Sequence, residues 1–181
     1  SQLLPVVIEQ VANDKLEALL TQAMLVSHSV GETMSLGLLL SIACAEDLPR
    51  VSDAELSEYA DQSFLPASSV GEMRKACDVW PHAAASPKSA EPVISDVPTL
   101  LLSGELDPAT PPRWADLALQ GLHQGLHVIV PGQGHGTLSV GCVPKLVSRF
   151  VRDGSTRGLD TSCVDGLRRP HFFLDLLGPR P

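Results

Sequence analysis

The sequence predicts an α/β architecture whose first half is mostly helical, and three patterns carry that reading. Two short β-prone runs, at 97–102 and 127–130, stop at the breaks Ser103-Gly104 and Pro131-Gly132. Each is followed by a stretch with helical periodicity, so the order is β-α-β-α, and a parallel pair with a right-handed crossover is the expected packing. Ahead of them, residues 1–90 carry helical stripes and helix-start signals but no clear strand alternation.

Taken in order, the first element is a helix across 11–25, where apolar residues recur at Leu16, Leu19, Leu20 and Ala23. The run MSLGLLLSIACAED that follows is continuously apolar, and periodicity alone does not decide between helix and strand. Ser52 with Glu55 is a capping box that opens a helix through Glu58 and Tyr59 toward Phe64. Ser69 with Glu72 repeats that signature ahead of a helix at 73–79. Residues 82–92, rich in Ala, Ser and Pro, read as a linker.

Beyond the linker comes the strand 97–102. Thr110-Pro111-Pro112 then opens a helix through Trp114, Leu117 and Leu119, since a proline in the first turn removes an N–H that has no helical partner anyway. Gly121 or Gly125 ends this helix, and the strand 127–130 follows. Val143, Leu146, Val147, Phe150 and Val151 fall on one helical face, with Gly154 placed to cap it. The tail 156–181 is irregular, with a patch Phe172-Phe173-Leu174 expected to dock on the body. No internal repeat is present, which excludes a solenoid.

Composition narrows the function classes. At 181 residues and 44% hydrophobic the chain is long enough to bury one sizeable core. A net charge of −8, with no lysine- or arginine-rich block, argues against nucleic acid or an anionic membrane as partner. The apolar run at 34–44 is too short and too interrupted to span a bilayer. There is no initiating Met and no signal peptide, so a start at Ser1 is compatible with a processed product, an experimental boundary or a fragment. Four cysteines allow three pairings and fall into two local sets, Cys44 with Cys77 and Cys142 with Cys163. Neither set has zinc-ligand spacing. Four buried thiols in a reduced compartment and two local disulfides in an exported protein both remain open from the residues alone.

The chemistry concentrates beyond the two strands. LLLSGELDPATPP places Asp107, and HVIVPGQGHGT places His135, each just past a strand's end. An acid followed by an imidazole in that position is the order of a Ser…Asp…His hydrolase, yet no G-x-S-x-G occurs in the chain. SHSVGE at Ser29 and ASSVGE at Ser69 lack the glycine two residues before the serine. Glu105 is a weaker rival for the acid, because it sits nearer the strand. His28, His82, His123, His127 and His171 share no metal-ligand spacing and read as surface or half-buried residues.

The segments CAEDLPR, CDVWP, LLLSGELDPATPP, HVIVPGQGHGT, GCVPKLVSRFV and GLDTSCV together resemble the C-terminal half of an α/β-hydrolase. The resemblance is to the secreted tripeptidyl-aminopeptidase-like and proline-iminopeptidase-like serine peptidases, and it covers nearly everything from 34 to 164. It implies that residues 1–90 are a mostly helical lid segment. Residues 91–181 would then be the last two parallel strands with their helices, carrying the Asp and His of the triad.

On that resemblance, His135 is the general base and Asp107 fixes its tautomer. Glu46 and Asp47 become candidates for holding a substrate's α-amino cation, and Trp80 for lining the substrate site or anchoring the lid. It also favours disulfides Cys44–Cys77 and Cys142–Cys163 and a secreted or periplasmic location. No cofactor is implied. The nucleophilic serine and the oxyanion donors would precede Ser1, so the expected activity, removal of residues from peptide N-termini, belongs to a larger protein and this chain alone is inert. The expected partners are a peptide or small acyl substrate and the missing N-terminal half, or a second copy docked on the open edge of the Asp107 strand. Two other readings stay open: an esterase or other acyl hydrolase of the same fold, and a non-enzymatic interaction module.

Overall fold

The computed structural model describes residues 2–60, 68–169, 171–175 and 177–178. They divide into two compact units, residues 7–91 and residues 1–6 with 92–181.

Helices dominate the first half. Helix α1 spans Leu4–Ala12 and α2 spans Glu17–Thr33. The stripe expected as one helix across 11–25 is therefore broken. The break is a turn in which Asp14 adopts φ 60° and Lys15 N–H bonds Gln10 O at 2.9 Å. Aspartate tolerates this left-handed geometry better than most residues, and no Gly or Pro marks the break in sequence. The ambiguous apolar run is helical: α3 (Leu36–Ile42) is capped by Ser35 Oγ, which accepts from Leu38 N–H at 3.3 Å. It continues as a π-helical turn, Ala43–Asp47, and a 3-10 turn, Leu48–Arg50.

The Ser52–Glu55 capping box opens α4 (Asp53–Ala60), with Glu55 N–H donating to Ser52 Oγ at 3.2 Å and Ser52 N–H to Glu55 Oε2 at 2.9 Å. The Ser52 hydroxyl, donating to Glu55 Oε2 at 2.7 Å, and the Ser52 N–H hold the Glu55 carboxyl below its usual range. The expected extension toward Phe64 lies outside the described residues. Helix α5 spans Ser68–Val79, so it begins one residue before the expected cap at Ser69. Buried Cys44 is disulfide-bonded to Cys77 of α5, and Trp80 Nε1–H donates to Ser41 Oγ of α3 at 3.1 Å. Residues 82–92 contain a 3-10 turn, Pro87–Ala90, capped by Ser86.

Among the described residues no single helix is long and apolar enough to cross a membrane. Only α2 taken together with residues 36–50 reaches the required length and composition, and that pair is bent by 71°.

In the second unit, β1 (Thr99–Gly104) and β2 (Gly125–Val130) form a parallel pair, with Thr99 opposite Gly125 and Gly104 opposite Val130. Both strands depart from the expected limits. Pro98 has no N–H to give a ladder, which delays β1, while the ladder carries it on through Ser103 and Gly104. Gly125 opens β2 instead of ending the helix, which closes earlier: α6 spans Pro112–Leu119.

Alternation along the strands sorts the two faces. Leu100, Leu102, Val128 and Val130 pack with Val143 and Leu146 of α7 (Val143–Asp153) in the core. Burial of each such valine or leucine stabilises the fold by about 2 kcal/mol. His127, opposite Leu101 and on the other face, bonds to Asp116 of α6. The helices thus cover opposite faces of the sheet, as the β-α-β-α order predicts.

Gly154 caps α7, its N–H bonding Phe150 O at 2.9 Å. The tail docks in part as expected: Phe173 is half-buried and its N–H bonds Gln2 O at 3.0 Å, while Phe172 and Leu174 stay exposed. Upstream, Val164 and Leu167 reach the core and Cys163 is disulfide-bonded to Cys142. The disulfide at Cys163, directly before Val164, positions that part of the tail, and the Phe172 patch lies well beyond it.

Candidate active site

Parallel strands bring their C-terminal ends to one edge, so the loops after β1 and β2 meet there. Hydrogen bonds knit them beyond the ladder: Glu105 N–H to Val130 O at 3.1 Å, Leu106 N–H to Gln133 O at 2.8 Å, and Gly132 N–H to Glu105 Oε2 at 2.7 Å. A side chain at 104 is impossible in this packing. A Cβ there would lie 2.1 Å from Gly134 O, so only glycine lets the loops approach so closely. Glu105, the rival acid, is committed to holding this loop pair.

The approach sets Asp107 against His135. His135 Nδ1 lies 2.9 Å from Asp107 Oδ2. Asp107 is 6% exposed and every acceptor direction of its carboxylate is used. Oδ1 accepts the N–H groups of Ala109 at 2.9 Å and Thr110 at 3.0 Å, and Oδ2 accepts the Thr110 hydroxyl at 2.8 Å as well as the imidazole. Burial by itself would raise the Asp107 pKa. The hydrogen bonds from Thr110, His135 and Ala109 outweigh it and hold the carboxyl well below the usual carboxylate range.

An ionised carboxylate only accepts, so the shared proton sits on His135 Nδ1, and Nε2 is left as the basic nitrogen. Thr110 Oγ lies 3.2 Å from the same Nδ1, closing a three-membered polar cluster around it. The His135 side chain is 64% exposed. Its loop turns at Gly136 with φ 85°, a conformation L side chains rarely adopt. A cavity of about 510 Å³ opens beside the imidazole, bordered by Leu106, the Gly132–Gly134 backbone, Arg169 and Phe172.

A second Asp–His pair lies in the same unit and was not foreseen from the sequence. His127 Nδ1 bonds Asp116 Oδ1 at 2.8 Å, and its Nε2 bonds Ser103 Oγ at 2.9 Å. The atoms run in triad order, but the imidazole is 5% exposed and Ser103 is buried, so no substrate reaches them. His127 is half-buried as a residue, with its ring turned inward, and its bonds tie α6 to both strands.

The other candidates belong to residues 7–91. Glu46 borders an open cavity with Pro49, Arg50 and His82, and Asp47 is exposed at the end of the same π turn. Arg50 donates to Ser89 Oγ at 2.9 Å. Trp80 anchors α5 on α3, where it also packs beside Gly37. Of the remaining histidines, His123 pairs with Asp96 at 2.8 Å and His28 with Glu32 at 3.6 Å. His82 contacts Trp80 O, and His171 is exposed. Among the described residues no group of three or more His, Cys, Asp or Glu is placed to hold a metal ion.

The sequence pointed to Asp107 and His135 but not to Thr110, although an Asp with a Thr three residues on is a side-chain turn signal that would have found it. A comparison with protein families matches residues 64–163 to the model described as TAP-like protein, of the α/β-hydrolases. Searches of curated proteins and of solved structures returned no match. The match spans more than half the chain, and the chain belongs to the TAP-like α/β-hydrolase family.

Proposed function

We propose, from that membership, that this chain supplies the acid and base of a serine hydrolase that removes residues from peptide N-termini. The observation that carries the reading is the Asp107–His135 pair: buried acid, exposed imidazole, 2.9 Å apart. His135 Nε2 takes the proton of a serine hydroxyl as it attacks the scissile carbonyl, then returns it to the departing amine. Asp107 holds the ring's tautomer and stabilises the imidazolium.

The nucleophile and the oxyanion donors come from a segment outside these 181 residues, because no nucleophile-elbow motif occurs among them. That segment seats on the free edge of β1, which in the described residues pairs only with β2. Residues 1–90 are the proposed lid segment, with Glu46 and Asp47 offering negative charge for a substrate's α-amino group. The two disulfides support a secreted or periplasmic setting.

The test is fluorophosphonate labelling. The 181-residue chain takes up no probe, and a version joined to a G-x-S-x-G-bearing segment is labelled at that serine; labelling of the isolated chain refutes the proposal. A panel of N-terminally free peptides, N-blocked peptides and esters then decides whether peptides are the substrate, since an exopeptidase acts only on the free ones.

A further inference from the structure

The cavity beside His135 carries a charge that the acid–base pair does not use. Arg169 borders it, with its guanidinium carbon 4.1 Å from the centroid of the Phe172 ring. Stacking on an aromatic face restrains the guanidinium plane and leaves its N–H fork free to donate. Among the described residues no carboxylate lies within ion-pair distance of Arg169. On the neighbouring loop, Glu105 Oε2 accepts Gly132 N–H and Asp107 is held by Ala109, Thr110 and His135. The Arg169 backbone is held in place as well, since Gly132 is packed so closely that a Cβ there would lie 2.9 Å from Arg169 Cβ. In a chain of net charge −8, an exposed guanidinium stacked on Phe172 at a cavity wall, with no ionic partner among the described residues, is suited to an anion.

The position of this cation relative to the imidazole says which anion. His135 lines the same cavity, and its free Nε2 is the atom that hands a proton to the departing amine. The part of the substrate that departs with that amine therefore lies on the imidazole's side, where the cavity is. We propose that Arg169 binds the free C-terminal carboxylate of a short departing peptide or amino acid, so that the preferred substrates are short peptides with an unblocked C-terminus. The fork of the guanidinium matches a carboxylate through two parallel N–H···O bonds. The assignment to the departing part rests on the hydrolase reading above, but the anion site itself does not.

The test uses the 181-residue chain with Ala-Ala and Ala-Ala amide as probes, followed by NMR of the His135 ring and by calorimetry. Ala-Ala is expected to shift the His135 signals and to bind about tenfold more tightly than the amide. Arg169→Gln erases the difference and Arg169→Lys retains part of it, while thermal unfolding of both variants matches the parent. Equal binding of acid and amide, no binding of the acid, or an acid preference that survives Arg169→Gln overturns the proposal. The hydrolase reading fails separately. An acid preference in a chain whose joined form resists fluorophosphonate keeps the anion site and removes the hydrolase. Labelling without any acid preference keeps the hydrolase and removes the site.

Discussion

Two of the aspartate–histidine pairs within one unit of this protein are joined by contacts of nearly the same length and are built inside out relative to each other. In Asp107–His135 the acid is buried and the imidazole is 64% exposed. In Asp116–His127 the acid side chain is 61% exposed and the imidazole is 5% exposed. The distances are 2.9 Å and 2.8 Å, so distance alone does not separate them. What separates them is the direction in which the unused ring nitrogen faces. At His135, Nε2 is left to chemistry, whereas at His127 it is spent on Ser103 Oγ, inside the layer between sheet and helix. An Asp–His–Ser list is therefore not a triad until burial is known.

The largest expected contrast is in catalysis. In the hydrolase joined to its nucleophile segment, His135→Ala should lower kcat by about a million-fold, and Asp107→Asn by about ten-thousand-fold. His127→Leu should cost far less than either. If His127→Leu abolished turnover in a folded protein, the contrast would collapse.

The reverse holds for stability. His127→Leu leaves Ser103 without its partner inside the fold and should cost about 1–3 kcal/mol in denaturant unfolding, whereas the exposed His135→Ala should change stability by less than about 0.5 kcal/mol. Equal midpoints for the two variants would erase the distinction. Smaller again is Glu105→Ala, which frees the loop at Gly132 and should reduce kcat by about tenfold through misplacement of His135 without moving KM. A KM effect instead would make Glu105 a substrate ligand.

The pH dependence sharpens the same comparison. Asp107 is held below the ordinary carboxylate range when folded, so its contribution to stability is fully present above the unfolded value and is lost only as pH falls through the lower folded one. An acid limb of activity between pH 5 and 8 should then not come from Asp107, and Asp107→Asn should lower the plateau without creating a new limb.

How much of this was legible beforehand follows from the range of each signal. Local patterns survived well. The spacing of Val143, Leu146, Val147, Phe150 and Val151 became α7, although Val151 is exposed, and the Ser52–Glu55 box became a capped helix start. Asp107 and His135 were readable because each follows its strand directly. The strand limits were less so, because Pro98 and the ladder partners of Gly104 act together and only the register reveals the second. The chain break at Asp14 carries no Gly or Pro. The partners of His127 were missed for a plainer reason. They come from α6 and β1, and a strand residue's face is unknown until its neighbour is.

The saturated carboxylate of Asp107 has a dynamic corollary. Loop amides ordinarily exchange with solvent almost at once, but Ala109 and Thr110 give their N–H groups to a buried anion that also holds a hydroxyl and an imidazole. Deuterium should enter these two positions about as slowly as it enters β1 itself, in a stretch with no regular secondary structure. The segment after the strand is in that sense a continuation of the sheet's rigidity by other bonds.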